Sequence, residues 1–314
     1  MIVVACQGGL GNQMFQYALY RAISGSRKDV FLDIEFFTPD EKRRFELAEA
    51  FELDLREYHE PFFVGALRRV AKRLSSLRQG PLLKRLAMKA ASVACNRLAG
   101  LYDASFMTVR DLGPLDLKEA LAKRRLRFEG YWQSSRYFSG IEEALRLDFR
   151  PKSPLPSLAQ DYLREIESQA SVSVHVRRGD YAASEGAVKR YGGICTRDYY
   201  EKAIARIRGN SPNTHFFVFS DDIDWVREQG YFDPPVHHTF IDSRSFPAWV
   251  DMVLMSRCEH NIIANSSYSW WASWLNTNPG KRVIAPSRWV NEGNEDRVCD
   301  LSGIWESDWE LVEA

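Results

Sequence analysis

VSVHVRRGDY, residues 172–181, decides the reading of this chain. Val172, Val174 and Val176 alternate with Ser173 and His175 in the period of a strand, and the run ends on two arginines, a glycine and an aspartate. Successive strand residues face opposite ways, so His175 and Arg177 share one face while Arg178 takes the other. At least one guanidinium is therefore delivered to something that wants positive charge.

Outward from this strand, strand and helix patterns alternate. PKSPLP (151–156) reads as a linker, a helix over 158–167 precedes the strand, and a helix over 197–208 precedes another strand at 215–219. Further strands are expected at 238–241, 261–264 and 282–285. The N-terminus gives a strand over 1–5, the loop GGLGN, a helix over 13–24 and a strand over 29–33. Such alternation defines an α/β fold, with parallel sheets covered by helices on both faces. Ligands of these sheets bind beyond the carboxyl ends of the strands. Three polar segments fall there: VHVRRGDY, FVFSDD and IIANSSYSWW.

Composition sets the frame. The 314 residues, 45% hydrophobic and 13% aromatic, suffice for two packed domains. Lys+Arg and Asp+Glu both number 42, which argues against nucleic acid as a partner. Residues 1–150 hold 25 basic and 19 acidic side chains and residues 151–314 hold 17 and 23, so the halves carry +6 and −6 and read as two units. Five scattered cysteines without CxxC spacing, and a start lacking a signal peptide, point to a reducing, cytoplasmic setting. Residues 61–100 show two amphipathic helices broken at Gly80-Pro81. Their polar faces carry Arg68, Arg69, Lys72, Arg73, Arg78, Lys84, Arg85, Lys89 and Arg97, with no acidic residue between Pro61 and Tyr102. That insertion suits peripheral contact with an anionic membrane or a charged acceptor; a solvated hairpin is the plain alternative.

The strand-end residues are complementary parts of a nucleotide site. Guanidinium pairs bind phosphate bidentately, and a helix start carrying Asn265, Ser266, Ser267 and Ser269 offers N–H groups, hydroxyls and a positive dipole end. Ser220 and the aspartates after it sit where a base or ribose is read. Each has a plainer alternative: Asp180 pairs with Arg178, Ser267 lies in an ordinary N-cap, His175 is a satisfied core histidine, and Trp270, Trp271 and Trp274 are core at i, i+1, i+4 spacing. Asp222-Ile223-Asp224 is a literal D-x-D, a metal-binding pattern in many sugar transferases. Two arginines already supply that charge, so a metal-free site is expected.

Three separated motifs, GGLGNQMFQYA (8–18), HVRRGDY (175–181) and NSSYSWWASWLN (265–276), resemble the α-1,2-fucosyltransferases of glycosyltransferase family 11, and EGYWQSSRYF (129–138) and VFSDD extend the likeness through nearly the whole chain. The resemblance implies a GT-B-like architecture, two Rossmann-like domains facing across a cleft, with GDP-L-fucose as donor, no cofactor or metal, and inversion at the anomeric carbon. It implies that Arg177 grips the β-phosphate with Arg178 in support, that Asp222 reads guanine or ribose, and that Ser266, Ser267 and Ser269 contact the diphosphate. The resemblance also implies that the loop with Gly9 and Gly11 closes over the donor diphosphate or the transferred sugar, with Asn12 and Gln13 as polar contacts; a tight βα turn is the plain alternative. Ala272-Ser273 departs from the Gly-Ala expected after the two tryptophans. The implied acceptor is a galactose or related residue of a glycan, attacked through O2. His175, Asp180 and Glu185 are candidates for a general base. A fucosyltransferase of other linkage and a non-catalytic nucleotide-sugar or glycan-binding module are the alternatives, and the sequence leaves the oligomeric state open.

Overall fold

In the computed structural model, β1 (Ile2–Ala5) runs through the glycine loop into α1 (Leu10–Ser24), and β2 (Val30–Asp33) returns parallel to β1. The structure describes residues 1–37, 43–61, 63–64, 66–67, 70–71, 82–103, 105–111, 113, 115–178, 185–209, 213–232, 236–291, 293 and 300–314. The helix α1 begins three residues earlier than its apolar pattern suggested. Gly9 takes an extended conformation and caps it, so Gly11 belongs to the first turn.

After α2 (Leu82–Asp103), β3 (Met107–Arg110) and β4 (Leu126–Glu129) complete an all-parallel sheet in the order β2-β1-β4-β3. Neither of these two strands is legible in the sequence. Each has four residues, β3 is a largely exposed edge, and Lys123, Arg124 and Arg125 precede β4. Of the two expected basic helices, α2 is the second. The first lies mostly outside the described residues, together with Arg68, Arg69, Lys72, Arg73 and Arg78. Lys89 and Arg97 are exposed on α2 beside exposed Val93, Leu98 and Leu101. Among the described residues, no helix is long and apolar enough to cross a membrane.

The second sheet follows α3 (Ser157–Glu167). Its strands are β5 (Ser171–Val176), β6 (His215–Ser220), β7 (His238–Phe240), β8 (His260–Ile262), β9 (Val283–Pro286) and β10 (Glu310–Val312). All are parallel, in the order β10-β9-β8-β5-β6-β7. Between them run α4 (Glu185–Tyr191), α5 (Arg197–Arg208), α6 (Ile223–Glu228), α7 (Ala248–Arg257) and α8 (Ser267–Leu275). The central strand β5 is buried throughout, as a strand covered on both faces must be. Val172, Val174 and Val176 pack with Tyr199, Tyr200 and Ile204, while on the other face Ser173 accepts a 2.7 Å hydrogen bond from Asn261.

The two sheets share one core through α1 and α8. Phe15 lies 4.6 Å from Trp270 and 4.9 Å from Trp271, and Phe138 stacks on Trp271. Trp270 and Trp271 are wholly buried and Trp274 nearly so; they are core, not a sugar platform. Each such ring stabilises the junction by about 1.5–3 kcal/mol through burial. The chain is thus GT-B-like, with two Rossmann-like α/β units facing across a cleft lined from both sides.

Candidate active site

The cleft encloses about 310 Å3 between the carboxyl ends of the two sheets, a size that suits a small-molecule site. Two helices begin at it. The first N–H groups of any helix lack an intrahelical partner and carry the positive end of its dipole. At α1 the cap is Gly9, which contributes no side chain; at α8 it is Ser266, whose hydroxyl accepts from the Tyr268 N–H at 3.4 Å. Gly11 is the point of contact. A Cβ built on it would stand 2.5 Å from the Ser267 carbonyl carbon and 2.6 Å from the Tyr268 nitrogen, so only glycine lets the two helix starts meet.

Beyond β5 the period-two expectation holds. His175 and Arg177 both line the cleft and Arg178 does not. The guanidinium of Arg177 donates to Asp221 at 2.8 Å. His175 is buried to 3% exposure, and among the described residues its Nδ1 finds no hydrogen-bond partner. Burial, with Arg177 beside it, pushes the imidazole down to about 3, so it stands neutral at physiological pH.

Of the other residues singled out in the sequence, Gly9, Gly11, Asn12, Ser220, Ser266 and Ser267 also reach the cleft. Five are placed elsewhere, each for a physical reason. Gln13 is fully buried: its amide donates to the carbonyls of Gly8 (2.9 Å) and Arg44 (2.8 Å) and accepts from the N–H groups of Glu46 (2.9 Å) and Leu47 (3.3 Å), which ties the 43–47 segment to the glycine loop. Arg178 pairs with Asp222 at 2.6 Å and lies 4.3 Å over the ring of Trp225, bracing the loop. Asp222 caps α6 through the Trp225 N–H, so Asp221 is the acidic residue at the cleft. Asn265 spends its amide on the carbonyls of Tyr191 and Trp289, and Ser269 donates back to Ser266. Asp180 lies outside the described residues, and Glu185 is exposed at the start of α4.

The D-x-D carboxylates are taken up by arginines: Asp222 by Arg178, and Asp224 by Arg227 at 2.9 Å and Arg244 at 3.2 Å. Among the described residues no group of three or more His, Cys, Asp or Glu is gathered as a metal cluster.

Three further charged residues line the cleft that the motifs do not mark. Arg43 and Glu46 come from the first domain, where Arg43 Nη1 lies 3.3 Å from the position of a Cβ on Gly9. Asp251 comes from α7; among the described residues one of its carboxylate oxygens is buried without a hydrogen-bond partner, and burial raises the group to about 6. No local motif marks them, because tertiary contacts across the cleft put them there.

The sequence model described as Glycosyl transferase family 11 matches residues 110–311. The O-antigen biosynthesis glycosyltransferase WbnK of Escherichia coli is 32% identical over 95% of this chain and 97% of its own length. An alpha-1,2-colitosyltransferase of Escherichia coli is 32% identical over 92% of both chains. The mouse (Mus musculus) galactoside 2-alpha-L-fucosyltransferase Sec1 is 28% identical over 48% of this chain and 42% of its own. Two parallel-sheet units facing across a cleft, with such relatives, define a glycosyltransferase. The chain belongs to glycosyltransferase family 11.

Proposed function

We propose that the protein transfers L-fucose, or a close deoxy relative, from its GDP-activated form to O2 of a galactose or related residue of a glycan, with inversion and without a metal. The single observation that carries this reading is the convergence of two helix N-termini and Arg177 on one cleft. The colitosyl- and fucosyltransferase relatives support a deoxy-sugar donor and an α-1,2 linkage.

In such a transfer the leaving diphosphate gains negative charge as the glycosidic bond breaks, so fixed positive groups stabilise the transition state more than the ground state. Asp221 holds the Arg177 guanidinium in register until the diphosphate arrives. The arginine-paired D-x-D carboxylates leave the charge to Arg177 and the helix starts, so EDTA is expected to leave the rate unchanged. Incubation with GDP-fucose and a galactoside panel, with and without EDTA, tests the reading. Transfer abolished by EDTA and restored by a divalent cation contradicts the metal-free site.

The same reading gives α2 a part in reaching membrane-held acceptors. Its exposed Lys89 and Arg97 beside exposed Val93, Leu98 and Leu101 suit an anionic lipid surface. At about 1 kcal/mol per basic residue, reversing the charge at both is expected to weaken co-sedimentation with anionic vesicles by about tenfold or more. Unchanged binding counts against a lipid contact at α2.

A further inference from the structure

Glu46 stands on a wall shared by two hollows. One is the cleft; the other, of about 250 Å3, opens between Arg44 and Glu49 on one side and Pro247 and Trp249 on the other. Among the described residues Glu46 is the only carboxylate that lines both. Its backbone is pinned by Gln13, as the N–H of Glu46 donates to the Gln13 amide oxygen at 2.9 Å. Its carboxylate makes no hydrogen bond or ion pair among the described residues, although Arg43 and Arg177 both act on it through space. Burial raises its proton affinity above that of an ordinary glutamate.

Inversion requires two compartments. The nucleophile approaches the anomeric carbon from the face opposite the diphosphate, so a proton acceptor belongs at the junction between the donor's space and the acceptor's. The other cleft candidates fit less well. His175 sits beside Arg177, and burial holds it neutral with little affinity for a proton. Asp251 lines the cleft but not the second hollow.

We infer that Glu46 is the general base of the transfer and that the second hollow seats the acceptor sugar, an inference that rests on the function proposed above. The Glu46 carboxylate takes the proton from the acceptor hydroxyl as that oxygen bonds to the anomeric carbon. The bond from that carbon to the β-phosphate oxygen breaks, its electron pair leaves with GDP, and Glu46 then releases the proton to water.

Glu46→Gln keeps shape and removes basicity. Its kcat with GDP-fucose and a galactoside is expected to fall about a hundredfold or more, while GDP affinity by calorimetry stays within about threefold of wild type. The acid limb of the kcat profile, set by a carboxyl among Arg43, Glu49 and Arg177 with Asp251 and His175 in the same cleft, should vanish with it. A variant that keeps kcat within about tenfold and retains the acid limb overturns the assignment. Joint loss of kcat and GDP affinity also overturns it, because Glu46 would then shape the donor site instead. A wild-type protein that turns over no GDP-sugar refutes the functional reading and the base with it, whereas an active wild type beside an equally active variant refutes the base alone.

Discussion

Arg177→Ala is expected to lower kcat/KM about a hundred- to a thousandfold, with most of the loss in kcat and the remainder in GDP affinity. The side chain leaves β5 on the cleft-facing side, is mostly buried, and is held by Asp221 at 2.8 Å. A guanidinium so fixed needs no reorganisation when the leaving group gains charge, and this separates a catalytic cation from one that only raises affinity. Truncation also removes the guanidinium from Asp221, whose carboxylate still accepts the Arg178 N–H at 2.9 Å but now faces the incoming phosphates without that countercharge. Arg177→Lys keeps the charge but loses the planar fork, so it should recover only part of the loss. Steady-state kinetics with calorimetric GDP titration of the three proteins reads both effects. A near-normal kcat in a folded Arg177→Ala variant removes this residue from the mechanism.

Gly11→Ala is expected to cost about 1–3 kcal/mol of stability and to abolish tight GDP binding, although no functional atom is removed. The new methyl would meet backbone: the Ser267 carbonyl carbon at 2.5 Å, the Tyr268 nitrogen at 2.6 Å and the Ser267 oxygen at 2.7 Å. No side-chain rotation relieves such contacts, so α1 and α8 must separate. Two helix starts moved apart no longer share one anion. At Gly9 a methyl would meet only the end of Arg43, 3.3 Å away, and Gly9→Ala should keep its stability. Urea unfolding of both variants, with GDP titration of each, checks the contrast. A Gly11→Ala protein with unchanged midpoint and affinity would show that the close approach is dispensable.

What the sequence revealed and what it hid divide along physical lines. The strand and helix alternation of the second half was legible because β5, β6, β8 and β9 are short buried runs bounded by breaker residues. Period two put His175 and Arg177 on one side without any knowledge of the cleft, and the spacing of Trp270, Trp271 and Trp274 marked a core helix. The β3 and β4 strands were not legible, since edge exposure and a neighbouring basic run erase the apolar signal. Asp221 and Asp222 are adjacent and chemically alike. Only the end of β6 at Ser220 and the need of α6 for a cap decide which one turns to the cleft. Gln13 reads as a polar contact in the motif but acts as a clamp, because three of its four partners, Arg44, Glu46 and Leu47, lie 31 to 34 residues away on a segment without pattern. Glu46 owes its place to that clamp and was invisible for the same reason.

The most direct test of the account is proton NMR of the product formed from GDP-fucose and a β-galactoside in the presence of EDTA. GDP release is expected, with one new α-fucosyl residue on O2 of the galactose and the anomeric configuration inverted from the β-linked donor. Retained configuration, attachment at another hydroxyl, or no transfer of any GDP-linked deoxy sugar would contradict it.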